Sequence, residues 1–165
     1  MVLAHDQHGQ FERLLVIQPG VDARLVSSAK IVIAQAGQIN TGAFDPLRQI
    51  AALAQSHGAW LHVDGAFGLW ARTVPELEAY CDGAELADSW AVDGHKWLQV
   101  PYDSGFAIVK DTVAHRRAMD TTASYLGETP AGARNPTHFG PELSRRARGF
   151  AVWAVLQVLG RNGMG

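Results

Sequence analysis

A lysine stands at position 96 in the stretch DGHKWLQVPYDSG, residues 93–105, just after a short apolar run. A lysine ammonium has an ordinary pKa near ~10.4, so it is a poor nucleophile at neutral pH. Partial burial and neighbouring cationic groups make a lysine more reactive, and Trp97 and His95 adjoin this one. Such a lysine forms a Schiff base with a carbonyl compound. The alternative is a lysine that extends from a strand end to the surface, and its placement alone leaves both open.

A carboxylate closes a second stretch, because Asp64 ends the apolar run AWLHVD, residues 59–64. A carboxylate there is costly unless it meets a positive partner, and a protonated pyridine nitrogen is such a partner. A ring nitrogen that stays protonated makes the ring an electron sink, as in pyridoxal phosphate chemistry. Ala66 is small enough for a flat ring to lie against its methyl group. Taken singly, Asp64 is better explained as an ordinary helix-capping or turn aspartate, and for Ala66 the alternative is a tight turn.

The elements around these residues predict a mostly parallel sheet. Four apolar runs predict strands, at residues 30–36, 59–64, 87–93 and 105–111. Between them, residues 47–58 predict a helix that Asp45 caps and Gly58 ends. Alternating strands and helices favour an α/β fold in three layers, α/β/α. Ligands of such sheets bind beyond the carboxyl ends of the strands, so Asp64 and Lys96 should face one crevice.

The remaining segments receive simpler assignments. A strand and a turn are expected for residues 2–9, and short helices for residues 11–20 and 74–84. Residues 112–140 contain many Thr, Gly and Pro and predict a loop, and loops of that length are usually functional. Residues 141–160 predict a helix with a basic start and an apolar end.

Composition limits the function classes. The chain has 165 residues, 47% of them hydrophobic, and a formal net charge of −2. It can bury a core, and it lacks the basic clustering that nucleic acids and membrane surfaces bind. Its one cysteine, Cys81, cannot form an intrachain disulfide and favours a reducing compartment. Without a signal-peptide pattern or an apolar run of ~20 residues, a cytoplasmic protein is expected. The histidine pairs lack partners at metal-ligand spacing, so no metal site is expected.

Four stretches resemble the group II pyridoxal-phosphate-dependent amino-acid decarboxylases, which include the aromatic amino-acid and glutamate decarboxylases. They are GAFDPL (42–47), HVDGAFG (62–68), DSWAVDGHKWLQVPYDSG (88–105) and LSRRARGF (143–150). The resemblance implies fold type I, the large-domain fold of aspartate aminotransferase, with pyridoxal 5'-phosphate as cofactor. It also implies an amino-acid substrate and a homodimer in the full-length protein. Residues 1–165 would then be part of the large domain, without the family's N-terminal phosphate-binding segment and its C-terminal small domain.

The resemblance also implies a role for each matching residue. Lys96 would hold the cofactor as an internal aldimine, and Asp64 would pair with the pyridine nitrogen. His95 would contact the phosphate or help to place the substrate. Ala66 would touch one face of the ring, and His8, in AHDQHGQFERL, would stack on the other. For His8, an ordinary turn histidine is the alternative.

Other positions depart from the family pattern. Asp93 stands where many members have asparagine, and a carboxylate beside a phosphate is unfavourable, so Asp93 should face a hydrogen-bond donor. Gln38 and Ile39 stand where many members carry threonines near the cofactor. The loop before LSRRARGF lacks the usual tyrosine acid, which leaves Tyr125 and His138 as candidate proton donors. Decarboxylation is the leading prediction, and an aminotransferase or lyase reaction, or a non-catalytic truncated remnant, stays open.

Overall fold

The computed structural model describes residues 2–5, 11–16, 31–119 and 135–164. Its sheet has six strands in the order of the chain: β1 (Val2–His5), β2 (Phe11–Val16), β3 (Ile31–Gln35), β4 (Trp60–Asp64), β5 (Ser89–Asp93) and β6 (Gly105–Val109). β1 runs antiparallel to β2, whereas β2, β3, β4 and β5 pair in parallel. The mostly parallel α/β sheet expected from the sequence is therefore confirmed.

Helices and short 3-10 turns connect the strands. The described helices are α1 (Leu47–Ser56), α2 (Thr112–Met119) and α3 (Arg148–Leu159). 3-10 turns cover Leu69–Thr73, Glu78–Cys81, Ala84–Leu86, Pro136–His138 and Asn162–Met164. The chain divides into two compact units, one of residues 1–108 and 148–165 and the other of residues 109–147. The strand ends that carry Asp64 and Asp93 belong to the first unit.

The core lies between the sheet and α1. Side chains alternate across a strand, so Val32 and Ala34 of β3 face the same side as Leu61 and Val63 of β4, and all four are at most 1% exposed. α1 buries Leu47, Ile50, Ala51 and Ala54, which recur at the spacing of one helix face and join the same cluster. Residues of the opposite strand face, such as His62 and Asp64, are only partly buried.

Four assignments of secondary structure made from the sequence were wrong in part. The helix expected at residues 141–160 begins only at Arg148. Residues 11–16 form β2 and not a helix, because pairing with both β1 and β3 satisfies their backbone groups. Residues 112–119 form α2 and not a loop, since Asp111 Oδ1 accepts hydrogen bonds from the first free N–H groups, those of Val113 and Ala114. Residues 74–84 give 3-10 turns in place of one helix, and Gly83, with φ +89°, separates two of them.

Asp45 does not cap α1, contrary to the sequence prediction. The residue before the helix is Pro46, and it makes no side-chain cap. Asp45 Oδ2 instead accepts a hydrogen bond of 2.7 Å from the backbone N–H of Gln35, and the Asp45 N–H donates to the Gln35 carbonyl. Burial raises the pKa of Asp45, and the hydrogen bond from Gln35 opposes part of that rise. Asp45 therefore fixes the end of β3, next to the end of β4.

Gly68 allows the turn after β4 to pack closely on the end of β3. Its N–H donates a 3.0 Å hydrogen bond to the carbonyl of Ala36. A Cβ at this position would lie 2.7 Å from the Ala36 oxygen and 2.8 Å from the Gly37 Cα, and real Cβ atoms do not approach backbone atoms so closely. The turn that carries Ala66 and Phe67 thus depends on a residue without a side chain.

Gly68→Ala should destabilise the protein by about 1–3 kcal/mol, because the added methyl group must displace backbone atoms. The matched control is Gly149→Ala in α3, where an added Cβ meets no heavy atom within 4 Å. That change should be neutral or stabilising by up to about 1 kcal/mol, as alanine favours helix. Urea unfolding measures both, and equal effects would contradict the close packing at Gly68.

Candidate active site

The two stretches singled out in the sequence end side by side. β4 and β5 are parallel neighbours, with Asp64 paired to Ala91, and the N–H of Gly65 donates to the Ala91 carbonyl at 2.9 Å. Asp93 follows Ala91 on the same face of the sheet, and the turn that carries Lys96 begins there. The carboxyl ends of these strands therefore form one edge that carries Asp64, Asp93 and Lys96.

The ammonium of Lys96 has two partners. Its Nζ lies 2.6 Å from Oδ2 of Asp93, which is an ion pair with hydrogen-bond geometry. The same atom lies 3.8 Å from the centre of the Phe67 ring, a cation–π contact. The side chains of Lys96 and Asp93 are 28% and 24% exposed, so the pair is half-buried but reachable. Asp93 faces a donor, as expected, and that donor is the candidate nucleophile.

The imidazole of His95 is fixed by the turn that returns to β6. Its Nδ1 lies 2.8 Å from the carbonyl oxygen of Ser104 and 3.1 Å from the Ser104 nitrogen, so either protonation state of Nδ1 finds a partner there. The ring of Tyr102 packs edge-on against it, 4.5 Å between centroids. This arrangement directs Nε2 toward Asp93, whose Oδ2 is 3.7 Å away.

Asp64 presents one carboxylate oxygen for further bonding. Oδ1 accepts a 3.1 Å hydrogen bond from the N–H of Ala66, which forms the turn after β4. Within the described residues, no side chain or backbone group bonds the other oxygen. A partly buried carboxylate with a free oxygen is suited to a positively charged or N–H-bearing ligand.

Two tryptophans fix the backbone around the lysine. The indole N–H of Trp70 donates to the carbonyl of Asp93 at 3.0 Å, and the Trp70 ring packs edge-on against Phe106. The indole N–H of Trp97 donates to the carbonyl of Met164 at 3.1 Å, and its ring contacts both apolar clusters of the first unit. Trp97 therefore lies on the core side of Lys96, where it excludes water.

The remaining candidates from the sequence are His8, Tyr125, His138 and Gln38. His8 and Tyr125 fall outside the described residues. His138 belongs to the second unit, where it is buried, with 8% of its surface exposed. Gln38 uses its side-chain oxygen inside its own turn, on the N–H groups of Asn40 and Thr41. Within the described ranges, no group of three or more His, Cys, Asp or Glu side chains could hold a metal ion.

A polar cluster beside Asp64 was missed in the sequence. Ser89 Oγ lies 2.8 Å from the indole nitrogen of Trp60 and 2.8 Å from Nδ1 of His62. The indole N–H can only donate, so Ser89 accepts from Trp60, and its own proton is free for His62. Burial lowers the pKa of His62, and the Asp64 carboxylate opposes part of that shift. The spacing of Trp60, His62 and Asp64, alternate residues of one strand, was the available signal.

Residues 25–165 match the family model described as the pyridoxal-dependent decarboxylase conserved domain. The chain belongs to this decarboxylase family. The match confirms the resemblance seen in the sequence and, at the level of the family, the expected pyridoxal 5'-phosphate cofactor.

None of the helices in the described part of the chain has the length and apolar character needed to cross a bilayer.

Individual decarboxylase relatives agree with the family match. Aromatic-L-amino-acid decarboxylase of Bacillus atrophaeus is 35% identical over 132 residues, which are 78% of this chain and 28% of that protein. Phenylacetaldehyde synthase of Arabidopsis thaliana is 33% identical over 130 residues, 77% of this chain and 26% of that protein. The crystal structure of Oryza sativa TDC with PLP and tryptamine is 28% identical, with a TM-score of 0.79, and covers 88% of this chain and 32% of that one.

These comparisons confirm the three-layer, fold type I architecture expected from the sequence. The chain spans between a quarter and a third of the length of these relatives. The described side chains also fit the family's cofactor, which offers a pyridine nitrogen and an aldehyde. Within the described residues, one carboxylate oxygen of Asp64 accepts no hydrogen bond, which suits the first, and the amine of Lys96 is partly exposed, which suits the second.

The neutral state of His62 should make stability depend on pH. Folding lowers the pKa of His62 below its ordinary 6.5, so below that pH the unfolded chain binds more protons than the folded protein. The free energy of unfolding should therefore fall as the pH drops through about 6.5. His62→Asn, which keeps a polar group near the Nδ1 position, should reduce this loss.

The measurement is urea unfolding of both proteins between about pH 8 and pH 5.5. A difference at pH 8 reports packing alone, and only the change with pH tests His62. If the two stability curves run parallel through this range, the protonation of His62 does not oppose folding.

Proposed function

We propose that this chain forms the cofactor-binding part of a pyridoxal-phosphate-dependent amino-acid decarboxylase, a carboxy-lyase. The observation that carries the proposal is the pair of adjacent parallel strands, β4 and β5, of which β4 ends at Asp64 and β5 leads into the turn that carries Lys96. Within the described residues, Asp64 is a carboxylate with one oxygen that accepts no hydrogen bond, and Lys96 supplies an amine at the carboxyl ends of the same strands. Membership of the decarboxylase family supports the reaction class.

When bound, pyridoxal phosphate supplies an electron sink for the bonds at the α-carbon of an amino acid. Lys96 would attach the cofactor covalently through Nζ, and Asp64 would hold a proton on the pyridine nitrogen. Ala66 would touch one face of the ring, and His8, which lies outside the described residues, would stack on the other. His95, which Ser104 and Tyr102 hold in place, contacts the phosphate or orients the substrate.

The core behind the lysine keeps water from this site. Trp97 packs against both apolar clusters, and the Phe67 ring lies against Nζ. Charged groups interact more strongly where water is excluded, so the proton that Asp64 holds is stabilised more than it would be at the surface. The effect of Asp64 on the ring nitrogen would thus depend on the exclusion of water around it as well as on its negative charge.

The residue that donates a proton to the product carbon decides between decarboxylation and the related reactions of the same fold. Tyr125 and His138 are the candidate acids from the sequence, and both belong to the segment of residues 109–147. A relative of comparable identity is named phenylacetaldehyde synthase, so formation of an aldehyde is the second candidate function. An aminotransferase or another lyase reaction of the same fold would also use Lys96 and Asp64.

We also infer the setting in which the chain works. It corresponds to part of the large domain, and the complete protein acts as a homodimer on a free amino acid in the cytoplasm. α3 exposes large apolar side chains, with Phe150 73% and Trp153 59% accessible, which a subunit partner or further chain would cover. The only cysteine, Cys81, is a buried free thiol, as suits a reducing compartment.

The covalent attachment point is tested directly. After incubation with pyridoxal phosphate and reduction with borohydride, the protein should carry a mass adduct on Lys96 and show a visible absorbance band before reduction. Lys96→Ala should lose both the band and the adduct. Lys110→Ala, which removes an exposed lysine, is the matched control and should keep them.

An adduct of equal yield in Lys96→Ala would contradict the assignment of the lysine. A colourless wild-type protein without any adduct would leave the family's motifs in a chain that does not bind the cofactor, which is the non-catalytic alternative.

The reaction class is tested by its products. With an aromatic amino acid, the purified protein should release carbon dioxide and an equal amount of amine. Asp64→Asn should retain the adduct on Lys96 but lose about 10²-fold or more of the rate, because the charge on the ring nitrogen is no longer held. Aldehyde with ammonia, or a keto acid, in place of the amine would favour the other reactions.

A further inference from the structure

We propose that Asp93 is a positioning residue that holds a proton on Nζ of Lys96, both in the free lysine and after cofactor attachment. The inference deepens the proposed function and rests on it, since it concerns the same lysine. Asp93 was expected only to face some hydrogen-bond donor. The geometry points to a specific task for its carboxylate.

The contact between Lys96 and Asp93 is a single short ion pair. Oδ2 of Asp93 lies 2.6 Å from Nζ, well within the range of a charge-assisted hydrogen bond. On the described side chains, Nζ has no second carboxylate at ion-pair distance, and its other neighbour is the face of Phe67. A ring face and a carboxylate are both groups that attract a cation.

The backbone of Asp93 is fixed by a hydrogen bond, and the chain opposite leaves room for its carboxylate. Trp70 donates to the carbonyl of Asp93, which fixes its backbone. Gly105 lies opposite, and a Cβ there would approach Oδ1 of Asp93 to 3.3 Å, so the absence of a side chain leaves room for the carboxylate. Asp93 thus belongs to β5 itself and not to a mobile part of the turn. It is a fixed charge that Lys96 meets.

Other titratable groups face the pair, and each has a different relation to Nζ. His95 Nε2 is 3.7 Å from Oδ2 of Asp93 and shares that oxygen. Tyr102 packs on His95. Asp64 ends the neighbouring strand and is the other carboxylate of this edge. Among the charged groups of the described residues, Asp93 is the one in contact with Nζ, so removing its charge should alter the proton on Nζ most.

The covalent step leaves a proton for Asp93 to hold. Nζ of Lys96 forms a double bond to the aldehyde carbon of the cofactor, and water leaves with the aldehyde oxygen and two ammonium hydrogens. The third hydrogen stays on Nζ together with the positive charge, so the step needs no other reactant. The carboxylate of Asp93 lies 2.6 Å from Nζ in the free lysine, and at a similar distance it would stabilise the charge that stays on Nζ after the step.

The test is the pH at which the visible band of the cofactor-loaded protein changes as Nζ loses its proton. Asp93→Asn keeps the shape of the side chain and removes the charge. The midpoint should move down by about one pH unit or more, as expected for loss of an opposite charge in contact. Asp93→Glu, which keeps the charge, should stay closer to the wild type than Asp93→Asn.

The matched control is Asp103→Asn. Asp103 lies in the same turn, but its carboxylate pairs with Arg148 at 3.1 Å, so the change removes one negative charge without touching Lys96. Its midpoint should equal that of the wild type. Asp93→Ser is a second uncharged variant. If Asp93→Asn does not fold, as judged by circular dichroism, the midpoint of Asp93→Ser decides the question.

A purely structural ion pair would give a different result. It would lower the stability of Asp93→Asn and leave the midpoint unchanged, and that outcome overturns the inference. An equal shift in Asp103→Asn would also overturn it, since the effect would then be general. The borohydride adduct on Lys96 separates the two proposals: without it in the wild type the proposed function fails, whereas with it only the role of Asp93 is in question.

Discussion

The site depends on the parallel register of β4 and β5. Asp64 lies opposite Ala91, so two strands that are far apart in the chain end at the same level of the sheet. A shift by one residue would turn Asp64 to the core side, where Val63 now lies, because side chains alternate along a strand. Gly68 and Asp45 fix the end of β3 beside them, and the polar edge is thereby placed over a packed apolar core.

The edge carries two carboxylates with different surroundings. Asp93 is paired with Lys96, whereas Asp64 is bonded on one oxygen by its own turn and keeps the other free. Two carboxylates near one lysine would compete for it if both could reach it. The strand geometry avoids this competition, since Asp93 meets Nζ directly and Asp64 stands on the neighbouring strand. One carboxylate is therefore available to a ligand while the other holds the amine.

The sequence predicted the parallel sheet and the edge that carries Asp64 and Lys96, because apolar runs and strand ends are local signals. It did not predict that Asp93 would meet Nζ, since a contact three residues along a turn depends on side-chain rotamers and on Trp70 and Gly105. β2 was taken for a helix because its pairing with β1 and β3 is not local. The roles of the site residues remain predictions, and His8 lies outside the described residues.

Substrate choice must depend on parts of these proteins other than the described edge. The relatives named aromatic-L-amino-acid decarboxylase and phenylacetaldehyde synthase match nearly the same share of this chain at 35% and 33% identity. Their names give different outcomes, yet the shared region covers only about a quarter of each. A ring nitrogen and an aldehyde are common to every reaction of the cofactor. If Asp64 and Lys96 bind these two groups as proposed, this edge serves cofactor binding, and residues other than these two select the substrate and the product.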